Sequence, residues 1–334
     1  MQDSRIWIKL IQTETFVADS PQNDEARKAR LLSVDEHGAG QRLDNFLMRE
    51  MKGVPRTRLY RALRKGEVRV NKGRAKADYR LKEGDTVRIP PLRVPAVGAP
   101  AVVPAHRLDA LAKAVIYEDG DLLVVNKPSG LAVHGGSGIS FGLIESLRQL
   151  RPDQAYLELV HRLDRDTSGL ILLAKRAVIL RELHRQLREK HIDKRYLALV
   201  EGKWPAASRL ISAPLEKNVL QSGERMVRVT AEGKASMTEF SVLERLQGAT
   251  LLEVRPITGR THQIRVHARH AGHPLLGDEK YSNSVAEDLA RRLGLKRLFL
   301  HAVSLRFTLQ GSGKFDLHAP LDQLLENTLE KLRK

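Results

Sequence analysis

Hydrophobic positions along the chain change rhythm several times, and each change marks an element. After Gly40 the period is helical: Leu43, Phe46, Leu47 and Met51 recur at spacings of three and four and give one apolar face. A second helix follows, with Pro55 in its first turn, Leu59, Ala62 and Leu63 as its buried stripe, and Gly66 as its stop. The period then drops to two. Val68 and Val70, and later Val87 and Ile89 after Gly84-Asp85, alternate with polar residues and predict short strands. Residues 36–90 therefore predict a small α/β unit of two helices and a sheet. Beyond about Val115, strand-like runs at 122–126, 156–160, 170–174, 196–200, 236–243, 251–255 and 299–307 are interspersed with helical segments. The plainest helices span 177–190, with Leu180, Leu183 and Leu187 on one side, and a stretch from about Pro320 carrying Leu321, Leu324, Leu325 and Leu329. No regular βαβ rhythm appears, so residues 111–330 predict an α+β domain on a mixed, largely antiparallel sheet.

Two stretches break this patterning. The first thirty or so residues pair a short alternation, Ile6, Ile8 and Leu10, with a polar tract holding Pro21 and Asn23; residues 1–35 are expected to be a mobile extension. Residues 90–105 read PPLRVPAVGAPAVVPA and hold five of the chain's 14 prolines. That composition favours an extended, semi-stiff spacer, and a linker is expected over 91–110.

Charge changes the picture next. The 334-residue chain carries 57 Lys and Arg against 40 Asp and Glu, a net +17. Such an excess points to a polyanionic partner whose counterions would be released on binding, with nucleic acid the leading candidate. The excess is concentrated: residues 41–89 hold 15 Lys and Arg against 6 Asp and Glu, leaving +9 in the small unit. Arg56, Arg58, Arg61, Arg64 and Lys65 crowd the polar face of its second helix; an ordinary solvated face is the plainer explanation of a basic helix, and the clustering weighs against it. No apolar run reaches the roughly 18 residues of a spanning helix, and no clean signal-peptide core is present, so a cytoplasmic location without membrane contact is expected. The chain has no cysteine. A disulfide framework and Cys-ligated zinc or iron–sulfur sites are excluded.

The segment richest in chemistry is His161-Arg162-Leu163-Asp164-Arg165-Asp166-Thr167-Ser168-Gly169, set between two strand-like runs. A carboxylate beside guanidinium groups keeps its charge and orientation, which suits a nucleophile or base. A structural ion-pair network accounts for these residues equally well. A two-carboxylate glycosidase pair made by Asp164 and Asp166 fits poorly, because such pairs usually come from different elements. The histidines His262, His267, His270 and His273 lack helix-borne metal spacing and are interleaved with Arg265 and Arg269, which argues against a metal site.

HRLDRDTSG resembles the signature of the RluA-type pseudouridine synthases. Three further segments agree with that family, Asn126-Lys127-Pro128-Ser129-Gly130, Lys194-Arg195-Tyr196-Leu197-Ala198 and Thr258-Gly259-Arg260-Thr261-His262-Gln263-Ile264-Arg265-Val266-His267, and Gly272-His273-Pro274-Leu275-Leu276-Gly277-Asp278 and Leu300-His301-Ala302 complete the pattern. In the basic unit, QRLDNFL, PRTRLYRALRKGEVRVN and LKEGDTVRI resemble the S4 RNA-binding domain. Together the resemblances span about residues 35–325. The stretch 134–142 is further similar to the RluC subgroup, which modifies uridines of large-subunit 23S ribosomal RNA.

The resemblance implies an enzyme that isomerises uridine to pseudouridine with no cofactor and no metal. Asp164 is then the catalytic aspartate, and Arg265 the arginine that pairs with it, with Arg260 as a second candidate and substrate contact. Tyr196 would stack on the target uracil. Arg162 would fill the space vacated by a flipped nucleotide, and Leu300 would wall the pocket. Arg56, Arg58, Arg61, Arg64 and Lys65 would grip structured RNA. The implied partner is 23S ribosomal RNA, bound by a monomer. A non-enzymatic RNA-binding or assembly factor is the competing expectation, in which the large domain is inactive.

Overall fold

A computed structural model describes residues 29–36, 38–51, 54–91, 103–135, 141–219 and 225–334. The alternation at Ile6 to Leu10, most of the proline-rich run and residues 136–140 of the subgroup-like stretch lie outside the described residues. The chain forms two compact units, one ending at Pro100 and one starting at Ala101.

The first unit contains strand β1 (Arg30–Ser33), helices α1 (Leu43–Glu50) and α2 (Arg56–Lys65), and strands β2 (Arg69–Val70), β3 (Gly73–Arg74) and β4 (Thr86–Ile89). The sheet is antiparallel in the order β1-β4-β2-β3. Arg30–Ser33, counted above with the mobile extension, is thus an edge strand pairing with Thr86–Ile89. The helical stripes are as expected: Leu43, Phe46, Leu47 and Met51 pack with Leu59, Ala62, Leu63, Val68, Val70, Val87 and Ile89 in one core. Gly66 ends α2 at φ +69°, a left-handed conformation that glycine adopts without steric cost. Asp44 and Asp85 are buried in this unit, each with hydrogen-bond partners. The Asp44 carboxylate accepts from Arg42 at 2.8 Å, from the Tyr60 hydroxyl at 2.8 Å and from the Asn45 amide at 2.9 Å, tying α1 to α2. These donors, Arg42 foremost, hold its pKa down at about 2.

The second unit opens with α3 (Ala105–Lys113), most of which falls within the expected linker. Pro104 caps it, a position where proline's fixed φ favours helix entry rather than a spacer. Then follow β5 (Val115–Glu118), β6 (Leu122–Lys127), α4 (Leu143–Leu150), β7 (Glu158–Leu159), β8 (Ser168–Ala174), α5 (Ala177–Glu189), β9 (Asp193–Glu201), β10 (Leu210–Ser212), β11 (Leu215–Val219), β12 (Arg225–Val229), β13 (Met237–Leu246) and β14 (Ala249–Pro256). Helices α6 (Gln263–His270) and α7 (Ser284–Leu293), strands β15 (Leu300–Leu309) and β16 (Gly313–His318), and helix α8 (Gln323–Arg333) complete it. The main path of its large sheet is β10-β13-β14-β9-β15-β8-β6-β5, with β16 and β7 paired alongside. Only the β15–β8 pairing is parallel among the described strands, so the sheet is mixed and largely antiparallel, and the chain is α+β.

Strand β8 is buried along its whole length, and the side-chain alternation of a strand divides it between two cores. Ile171 and Leu173 join Leu123, Val125, Leu143 and Leu147 on the α4 side. Leu170 and Leu172 join Leu122, Val124, Leu183 and Phe307 on the α5 side. A third cluster seats α7 and α8 against Leu199, Leu251 and Phe299. Gly169 makes the one parallel contact close: at φ +106° its missing Cβ would lie 2.3 Å from the Ala302 carbonyl oxygen. No side chain fits there, and the approach brings the loop before β8 alongside Leu300 and the tyrosine strand β9.

Candidate active site

The loop from His161 to Thr167 is held from beneath by the segment after β6. Lys127, with none of its side chain exposed, donates from Nζ to the carbonyls of Pro128, Leu131 and Arg165, each at 2.9 Å. Three carbonyl acceptors match the three donors of an ammonium. Burial pushes its pKa down to about 7, while the charges of Asp166 and Asp164 pull the other way. The Ser129 hydroxyl donates to the Asp166 carbonyl at 2.7 Å and the Gly130 amide to Arg165 at 2.9 Å. The Asn126-Lys127-Pro128-Ser129-Gly130 segment therefore fixes the backbone on which Asp164 sits.

Above this loop opens a cavity of about 590 Å³. Asp164, Arg162, Tyr196, Arg260, Arg265 and Leu300 all line it, so six candidates spread over nearly 140 positions of sequence meet in one place. Tyr196 comes from β9 and Leu300 from the start of β15; the two strands are hydrogen-bonded neighbours, with Ala302 opposite Tyr196. Burial, and next the Asp164 charge, raise the Tyr196 phenol well above its ordinary range and keep it neutral. Arg162 is exposed at the cavity rim.

The arginine has a partner that the sequence did not single out. Arg265 projects from α6 and is 2 % exposed. Its Nε and Nη2 donate to Asp278 Oδ2 and Oδ1 at 2.7 and 2.6 Å, a bidentate pair. Asp278 also accepts from the amides of Lys280 and Tyr281, and the Arg265 guanidinium lies over the Tyr281 ring at 4.9 Å. Burial works against the Arg265 charge; the bonds and charge of Asp278, and then the charge of Asp164, outweigh it. Direct pairing is thus with Asp278, while Asp164 acts on Arg265 through space. Arg260, also on the cavity wall, has other partners: its Nε reaches the Ala235 carbonyl at 3.4 Å, and its amide donates to Gln263.

Asp166 takes no share in this cavity. It pairs with Arg165 at 3.0 Å and lines a separate cavity of about 360 Å³, so the two aspartates face different spaces. The histidines considered above diverge likewise. His267 bonds Thr238 and the Ala213 carbonyl, His273 bonds the Glu201 carbonyl, and His262 bonds Tyr281. The cavity wall also holds Lys194, whose pKa burial lowers, and His262, which the sequence suggested only as a metal ligand. Both stand inside family-like segments, but neither has a neighbour in sequence that marks it for a role.

A cavity that gathers a carboxylate, a strand tyrosine and a buried guanidinium, in a chain that also carries a separate basic unit, defines an RNA-directed enzyme. The family model described as RNA pseudouridylate synthase matches residues 121–270, and that of the S4 domain matches residues 41–87. The chain is 54% identical over 316 residues to the ribosomal large subunit pseudouridine synthase C of Escherichia coli (strain K12), covering 92% of this chain and 98% of that one. To the protein of that name from Pasteurella multocida (strain Pm70) it is 54% identical over 306 residues, covering 91% and 94%. Among solved structures, human RNA Pseudouridylate Synthase Domain Containing 4 aligns with a TM-score of 0.56 and 28% identity, over 68% of this chain and 96% of that one. Human RNA Pseudouridylate Synthase Domain Containing 1 aligns at 0.54 and 27%, over 70% and 98%. The chain belongs to the RNA pseudouridylate synthase family and carries an S4 domain.

Proposed function

We propose that this pseudouridine synthase isomerises specific uridines of 23S ribosomal RNA, with Asp164 as the catalytic residue. The convergence of Asp164, Tyr196 and Arg265 on one cavity carries the reading, and similarity to large-subunit enzymes along most of the chain supports the substrate. In the reaction the N1–C1′ bond breaks, the uracil turns, and C5 bonds to C1′; the proton leaving C5 is balanced by the one N1 gains. No electrons are exchanged, so the chemistry calls for no redox cofactor. A paired uridine must first leave its helix, at a cost of a few kcal/mol. In this reading Arg162, exposed at the rim, fills the vacated position, Tyr196 stacks on the uracil, and Leu300 closes the wall. The Asp164 carboxylate meets the ribose or base, and Arg265, held by Asp278, sets the field around it.

The S4 unit supplies grip. Arg56, Arg61, Arg64 and Lys65 are exposed along α2 and Arg58 is half-buried, and none pairs with a described acid. Arg56 lies over the Tyr60 ring at 5.9 Å, and cations outside ion pairs are free to neutralise phosphates. This partner implies a cytoplasmic location.

The test is to incubate unmodified 23S ribosomal RNA with the wild type and with Asp164→Asn, then map carbodiimide-resistant stops by primer extension. Stops at discrete uridines with the wild type and none with the variant are expected. Absence of stops with either protein would favour the binding-only alternative, and equal stops with both would remove Asp164 from the chemistry.

A further inference from the structure

His262 stands at the start of α6 with φ +54°, a left-handed backbone that is uncommon for residues other than glycine. Such conformations persist where the surroundings over-determine them, and they cluster at functional sites. Here the surroundings are specific. The backbone amide of Val227, on β12, donates to the Tyr281 hydroxyl at 2.9 Å, and that hydroxyl lies 2.7 Å from His262 Nδ1. Tyr281 is 2 % exposed.

The direction of the Tyr281–His262 bond follows from counting protons. An amide cannot accept, so the single phenolic proton cannot point at Val227. Were His262 to donate from Nδ1, that proton would be left without an acceptor among the described residues, in a buried place where unmade bonds are costly. Tyr281 therefore donates to Nδ1, and the imidazole carries its proton on Nε2. No described protein group takes that Nε2–H. The ring lines the cavity that Asp164, Tyr196 and Arg265 also line. Burial, with the charges of Arg265 and Lys280, lowers its pKa against the pull of Asp164 and Asp278, so the ring is neutral near pH 7.

We propose that His262 is a substrate contact, donating from Nε2 to an acceptor oxygen of the extruded uridine, and that Tyr281 is the positioning residue that fixes this tautomer. Through Val227 the same hydroxyl ties the tautomer to the β11–β12 hairpin, whose strands flank a cavity of about 420 Å³ that shares Gly259, Arg260 and Thr261 with the first. The inference rests on the pseudouridine synthase reading and adds a residue to which that reading gave no role.

Two measurements test it. Long-range proton–nitrogen correlation spectra of the full-length protein, with ¹⁵N-histidine and the signal assigned by its loss in His262→Gln, report the tautomer without any substrate. An Nε2–H pattern is expected in the wild type and a shift away from it in Tyr281→Phe; an Nδ1–H pattern in the wild type would overturn the proposal. Steady-state kinetics on a 23S ribosomal RNA transcript then compare His262→Gln, which keeps an amide donor at similar reach, with His262→Phe, which keeps bulk alone. The glutamine variant is expected within about fivefold of wild-type kcat/KM, and the phenylalanine variant about 10- to 100-fold below it, the range a lost hydrogen bond to substrate gives. Equal activity of both variants, whether high or low, would overturn the donor role. Should His262→Phe not fold, as judged by circular dichroism, Tyr281→Phe takes its place, with a loss of about fivefold or more expected and wild-type kcat/KM overturning the proposal. Wild-type protein inactive on the transcript would instead sink the functional reading, leaving the tautomer result standing.

Discussion

Replacing Asp278 by asparagine probes the most deeply buried charge pair at the site. The Asp278 side chain is 0 % exposed and that of Arg265 3 %, and two bonds of 2.6 and 2.7 Å join them. Asparagine keeps an oxygen for the amides of Lys280 and Tyr281 but removes the charge facing the guanidinium. Removing one partner of a buried pair costs about 3–5 kcal/mol, because the other charge stays desolvated. Some of that cost is recovered if Arg265 swings to Asp164, the next carboxylate acting on it. A stability loss of about 3 kcal/mol is therefore expected, with a fall in kcat of at least about tenfold, equivalent to 1.4 kcal/mol, as the arginine leaves its place. Chemical denaturation followed at Trp204, buried in this unit, measures the first; pseudouridine formation on a 23S ribosomal RNA transcript measures the second. The double variant Asp278→Asn with Arg265→Met should regain much of the stability, since no lone charge remains, and none of the activity. Asp278→Asn with stability within about 0.5 kcal/mol of wild type and unchanged kcat would refute the view that this pair holds the arginine in place.

The S4 unit offers two further predictions. Asp44, with its pKa depressed to about 2 from an ordinary 3.8, stabilises the unit fully above about pH 4, and that contribution is lost as pH falls from there through 2. Nearly two pKa units amount to about 2 kcal/mol, so hydrogen exchange of the α1 and α2 amides should accelerate over that window in the wild type but not in Asp44→Asn. Replacing Arg61, exposed on α2, by alanine should weaken binding to ribosomal RNA and reduce the slope of log K against log salt by about 1 in a fluorescence-anisotropy titration. An unchanged slope would place α2 away from the RNA.

Local periodicity made α1, α2, α5 and the central strands legible in the sequence, because each buries one apolar face and so writes a repeat of 3.6 or 2 into the chain. Helix α6 carries no such mark. It is buried nearly throughout, but Gln263, Arg265 and His267 satisfy their polar groups on Thr238, Asp278 and the Ala213 carbonyl, contacts that no repeat can encode. Strand β1 was missed for the opposite reason: as a short edge strand it is mostly exposed and has little pattern to show. At the site, the motif segments were enough to name Asp164, Tyr196, Arg162, Arg265 and Leu300, since a residue type at a fixed place in a motif is a property of the sequence. Partnership is a property of three-dimensional distance. Asp278 holds Arg265 from 13 positions away, and the Val227 amide, through Tyr281, decides which nitrogen of His262 carries the proton. Folding alone brings these groups within 3 Å, and only there do charge and proton direction become determined.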